Sequence, residues 1–78
     1  MYVTKVSLKK ADSKTVEDLL GWCHFCEGRD ISFRWQRVDD KILIQSDGSN
    51  QAYKRGSAIY KRFHLHYNVE YSSKKLLS

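Results

Sequence analysis

From residue 2 to residue 9 the side chains alternate, with Tyr2, Thr4, Val6 and Leu8 on one side and Val3, Lys5, Ser7 and Lys9 on the other. A period of two predicts a half-buried strand. A turn follows over residues 10–13, where Asp12 or Ser13 can cap a helix by accepting a hydrogen bond from a free N–H group. Val16, Leu19, Leu20, Cys23 and Cys26 then recur at helical spacing as one apolar stripe. Glu17 and Asp18 lie near the positive end of that helix's dipole. Gly28 is the expected terminator, since glycine takes the left-handed conformation without steric cost.

A hairpin comes next. Ile31, Phe33 and Trp35 alternate with Ser32, Arg34 and Gln36, Asp39-Asp40 makes a two-residue turn, and residues 41–46 return as a second strand. That loop length pairs Val38 with Lys41, Trp35 with Ile44 and Arg34 with Gln45. Phe33, Trp35, Ile42 and Ile44 then share one face, while Arg34, Gln36, Lys41, Leu43 and Gln45 share the other. After the turn at Asp47-Gly48, Ser49 or Asn50 can cap a second helix with the stripe Ala52, Gly56, Ile59 and Phe63, flanked by Tyr53 and Tyr60. Gly56 costs about 1 kcal/mol relative to Ala inside a helix, so close packing against a neighbour is its expected reason. A last strand spans residues 65–71, with Leu65, Tyr67, Val69 and Tyr71 inward and His66, Asn68 and Glu70 outward; residues 74–78 should fray.

Strand-helix-strand-strand-helix-strand is the order of the ferredoxin-like α+β fold, βαββαβ, with two helices on one face of a four-stranded antiparallel sheet. Right-handed crossovers place the first and third strands in the centre. The chain has 78 residues, which makes residues 1–78 one domain with room for a single modest core and none for a separate catalytic domain. No apolar run is long enough for a membrane span, and the first residues lack a signal-peptide core. A cytoplasmic protein is expected.

Charge changes the picture once it is placed along the chain. The net charge is +5, yet residues 1–48 balance, and residues 49–78 set Lys54, Arg55, Lys61, Arg62, Lys74 and Lys75 against Glu70 alone. Tyr53-Lys54-Arg55 recurs as Tyr60-Lys61-Arg62, seven residues on. Seven residues are two helical turns, or about 10 Å of rise, so each lysine and each arginine gains a partner in its own row. No acid stands between Asp47 and Glu70 to neutralise them. Two cationic rows on a rigid rod suit a phosphate backbone. The open sheet face is a second candidate, with Lys5, Lys9, Arg34, Lys41, Gln36, Gln45, His66 and Asn68 against Glu70.

These patterns predict a nucleic-acid-binding module, RNA before DNA, working chiefly through phosphates. Lys54, Arg55, Lys61 and Arg62 would make the main contact, extended by Arg34, Arg37, Lys41 and His66. The tyrosines lean toward the core and are expected to pack with their hydroxyls exposed rather than serve as base-stacking platforms. In element order alone the chain resembles an RRM, but the third strand, residues 41–45, lacks the Arg/Lys-Gly-Phe/Tyr stacking pattern of those domains. The alternative is a small regulator or inhibitor whose basic face meets an acidic protein, such as a phage inhibitor of a host nuclease, toxin or defence enzyme, either directly or bridged by RNA. An edge strand over residues 30–37 could also pair with a second chain as a dimer.

Catalytic and metal chemistry find little support. Cys23 and Cys26 lack the second ligand pair that zinc needs, and they sit at the wrong end of their helix for a redox pair. His64-Leu65-His66 resembles the His-hydrophobic-His pattern of metal-dependent nicking enzymes, and Tyr71 with Lys74 resembles their Tyr-x-x-Lys pair. Both patterns fall on or beside one strand, where they cannot converge on a phosphate. No enzyme, cofactor or metal is expected.

Overall fold

The central strand β1 (Tyr2–Ser7) runs antiparallel between β3 (Lys41–Ser46) and β4 (Tyr67–Tyr71), and β2 (Arg34–Val38) pairs with the far side of β3. A computed structural model of the chain describes residues 1–73; residues 74–78, with the expected frayed end, lie outside the described part. Helix α1 (Ser13–Arg29) joins β1 to β2, and α2 (Ser49–Phe63) joins β3 to β4. The sheet order β2-β3-β1-β4, with both helices on one face, is the ferredoxin-like arrangement that the element order implied.

The hairpin register is the one a two-residue turn dictates, with Val38 opposite Lys41, Trp35 opposite Ile44 and Arg34 opposite Gln45. Asp39 takes φ 54, a left-handed value that aspartate tolerates better than most residues. On the helix side, Val6, Ile42 and Ile44 from the sheet meet Leu19 and Cys23 of α1 and Ile59 of α2, all fully buried. Thr4 is also fully buried; its hydroxyl donates to the Ala52 carbonyl at 2.9 Å, which ties β1 to α2. Val3 points to the face without helices and is buried as well.

Four boundaries differ from expectation, each for a local reason. Helix α1 continues through Gly28 to Arg29 and stops where Asp30 turns extended, its N–H bonding the Cys26 carbonyl; no glycine has positive φ. Asp30 then accepts hydrogen bonds from the Ser32 N–H at 2.9 Å and the Ser32 hydroxyl at 2.7 Å. This side-chain turn replaces the start of the strand. β2 therefore begins at Arg34, and Ile31 is 95% exposed, so only Phe33 of the predicted lead-in reaches the core. Gly48, rather than Ser49 or Asn50, occupies the N-cap of α2. β4 starts at Tyr67 because His64 caps α2 in the left-handed region at φ 57, which delays the strand. Tyr71 is exposed at the sheet edge, its ring edge-on to Tyr2.

Gly56 does the job its sequence position suggested. A methyl group there would overlap the Tyr67 ring, including the atom that joins ring to chain, so the ring cannot swing clear cheaply. Gly56→Ala should lower stability in urea by about 2 kcal/mol, since overpacking outweighs the ~1 kcal/mol gain in helix propensity. Adding Tyr67→Leu should recover part of that loss.

Candidate nucleic-acid interface

Helix α2 turns about 100° per residue, so its buried row dictates what every other position can reach. Ala52, Gly56 and Ile59 are buried against the sheet. Lys54 and Lys61 occupy the opposite, exposed ridge, with Asn50 and Ser57 beside them along a shallow groove. Arg62 is exposed on the flank toward α1, where its charge reaches Cys26. Tyr53 and Tyr60 lie on the other flank, toward β4, with ring contacts to Tyr67 and His66. Both are more open than the expected packing toward the core: Tyr53 is 53% exposed and Tyr60 45%.

Arg55 leaves the contact set. Position 55 is three residues after Ala52 and four before Ile59, which rolls its side chain under the helix, and only 9% of the residue is exposed. The guanidinium lies 4.8 Å above the Phe33 ring and donates to the Gln45 carbonyl at 3.0 Å and the Ser46 hydroxyl at 2.8 Å. It also reaches the Ser32 hydroxyl at 3.4 Å and the Asp30 carboxylate at 3.5 Å. Burial pulls its pKa below the ordinary arginine value, while Asp30 acts to restore it. Arg55 thus clamps α2 to the end of β3 and to the α1–β2 turn. Its helical spacing to Ala52 and Ile59 was the available signal for that role.

The remaining predicted residues are not brought together. Arg34 and Lys41 stand on the sheet face away from the helices, so the sheet separates them from Lys54, Lys61 and Arg62. Arg37 pairs in register with the buried Ile42, which places it on the helix-side edge of β2, where its Nε donates to the Asp39 carbonyl at 3.4 Å. His66 precedes β4 rather than lining the open face, and its ring lies 5.5 Å from that of Tyr60. On the open face, Lys5 is matched by Glu70 at 2.8 Å. A compact set of Lys54, Lys61 and Arg62 survives, and none of the three makes an ion pair among the described residues.

No protein-family model, curated protein or solved structure matches the chain.

The other chemical candidates are accounted for by packing. Cys23 is fully buried, and that burial pushes its thiol pKa up to about 12, leaving it protonated and unreactive. Cys26 is raised for the same reason. His64 serves as the left-handed cap of α2, its N–H bonding the Tyr60 carbonyl at 2.8 Å. Among the described residues no group of His, Cys, Asp or Glu side chains is placed to hold a metal ion.

Arg55→Lys retains a charge but not the planar fork, and should destabilise the fold by about 2–3 kcal/mol in urea. Lys54→Gln, at an exposed position, should stay within about 0.5 kcal/mol of the parent. Hydrogen bonds from Ser32, aided by Arg55, lower the Asp30 pKa from its ordinary 3.8, and hydrogen bonding from Thr15 lowers that of Asp12. As pH falls toward and below 3.8 the unfolded chain binds more protons than the folded one, so stability that is complete above that value is lost as pH drops from it through the lower folded-state pKa values. Asp12→Asn and Asp30→Asn together should flatten this decline in denaturation midpoints measured from about pH 6 to about pH 3.

Proposed function

We propose that this protein binds nucleic acid, RNA in preference to DNA, through phosphate contacts made by the exposed face of α2. The observation that carries this reading is the cationic set Lys54, Lys61 and Arg62, held on one rigid helix with no carboxylate partner among the described residues. Exposed helices usually intersperse both signs, since opposite charges three or four residues apart stabilise them. Unpaired cations on a rod favour a polyanion, and counterion release from its phosphates would drive association. RNA is preferred on the analogy of element order with RRM domains, which read RNA. The role is one of binding without a catalytic step or cofactor. No described helix is long and apolar enough to cross a membrane, and the free thiols of Cys23 and Cys26 suit the reducing cytoplasm, the proposed site of action.

A second reading is a regulator that meets an acidic protein. It is favoured by the groove between α1 and α2, where Trp22, Phe25 and Phe33 lie beside Arg29 and Lys54. Phe25 is 59% exposed there, with the Arg29 guanidinium 5.4 Å from its ring centre.

Titration of a 20-nucleotide RNA at several salt concentrations should give a log–log slope of about −2 to −3, the value for three neutralised phosphates. Lys54→Gln/Lys61→Gln/Arg62→Gln should remove most of that slope and weaken all sequences alike. Arg34→Gln/Lys41→Gln, on the far side of the sheet, should bind as the parent does. A salt-independent affinity, or a folded triple variant that binds normally, would sink the proposal.

A further inference from the structure

Beside the cationic ridge runs a feature the phosphate reading leaves unused. Tyr53 and Tyr60 each stand one residue before a ridge lysine, on the same flank of α2, about 10 Å apart along its axis. About half of each residue is open to solvent. Both rings are braced: Tyr53 meets Tyr67 at 6.4 Å with the planes 71° apart, and Tyr60 meets His66 at 5.5 Å with the planes 46° apart. Tyr67 is itself held against Gly56, and its hydroxyl shares a hydrogen bond with that of Ser57 at 3.1 Å. A ring held in place gives up little rotamer freedom when a ligand stacks on it.

We infer that α2 binds single-stranded rather than duplex nucleic acid, with Tyr53 and Tyr60 as two stacking platforms and Lys54 and Lys61 as the adjacent phosphate contacts. The inference rests on the phosphate-binding reading and specifies the state of the polymer. Base faces and phosphates recur together along one strand, as the tyrosines and lysines do along this helix. The ~10 Å between platforms is about three steps of a stacked strand at ~3.4 Å each. A duplex offers phosphates to the lysines but keeps its base faces stacked inside, where neither ring can reach them. Stacking is indifferent to base identity, which agrees with a ridge that carries few groups able to read base edges.

The test compares three labelled probes at one salt concentration: a 20-nucleotide oligouridine, a 20-nucleotide oligothymidine and a 20-base-pair mixed-sequence duplex. Both single strands should bind at least about tenfold more tightly than the duplex. Tyr53→Leu/Tyr60→Leu should erase that difference while leaving the salt slope unchanged, and Tyr53→Phe/Tyr60→Phe, which keeps the π faces, should behave as the parent. Circular dichroism of each variant confirms the fold. Equal affinity of the parent for all three probes with a steep salt slope would overturn the stacking inference and leave the phosphate reading standing. Full single-strand affinity in the folded leucine variant would do the same. If the parent binds no probe at all, both readings fall, and the acidic-protein partner takes their place.

Discussion

The rest of the molecule depends on how α2 is seated on the sheet. Gly56 lets the helix axis approach the Tyr67 ring closely, and Thr4 hydrogen-bonds the helix from the central strand one turn earlier. Arg55 secures the remaining side through the end of β3 and the Asp30 turn. With contacts on three sides the helix has no freedom to roll. A rotation of one residue would drive a lysine toward the apolar core, which is far too costly for an unpaired charge. Seating by small and polar contacts therefore fixes which cations face water.

That constraint shapes the candidate interface. Residues that are equivalent in the sequence repeat become inequivalent in space: Arg62 stays exposed while Arg55, seven residues earlier, is buried. The difference comes from what lies beneath each turn. Arg55 sits over Phe33 and beside the buried carbonyl of Gln45 and hydroxyl of Ser46, so its guanidinium finds acceptors there. The Arg62 side chain makes no hydrogen bond or ion pair with another described residue. Removing Arg55 from the surface narrows the cationic set and simultaneously rigidifies it, because the clamp and the ridge belong to one helix.

The two faces of the domain also divide its charge. On the open face Lys5 is balanced by Glu70, and Arg34 and Lys41 stand near the β2 edge. On the helix side, Lys54, Lys61 and Arg62 stand together on α2 beside exposed aromatic rings, with Trp22 and Phe25 of α1 adding an apolar border.

Element order, the hairpin register, the glycine contact and the Asp12 cap were all legible in the chain. They follow from local spacing: alternation of period two, a stripe at helical period, a two-residue turn, an unfavourable glycine in a helix. The lead-in to β2 was not, because a hydrogen-bonded Asp30–Ser32 turn competes with strand pairing, and Ile31 looks the same to a pattern in either conformation. Nor were the acceptors that hold Arg55, whose spacing signalled only its buried row, or the fates of Tyr53, Tyr60 and His66. Each side chain is long enough to serve either core or surface, and the choice depends on which acceptors and rings from distant parts of the chain arrive beside it. Periodicity assigns a residue to a face; only the packed sheet beneath decides whether that face holds a partner for its charge.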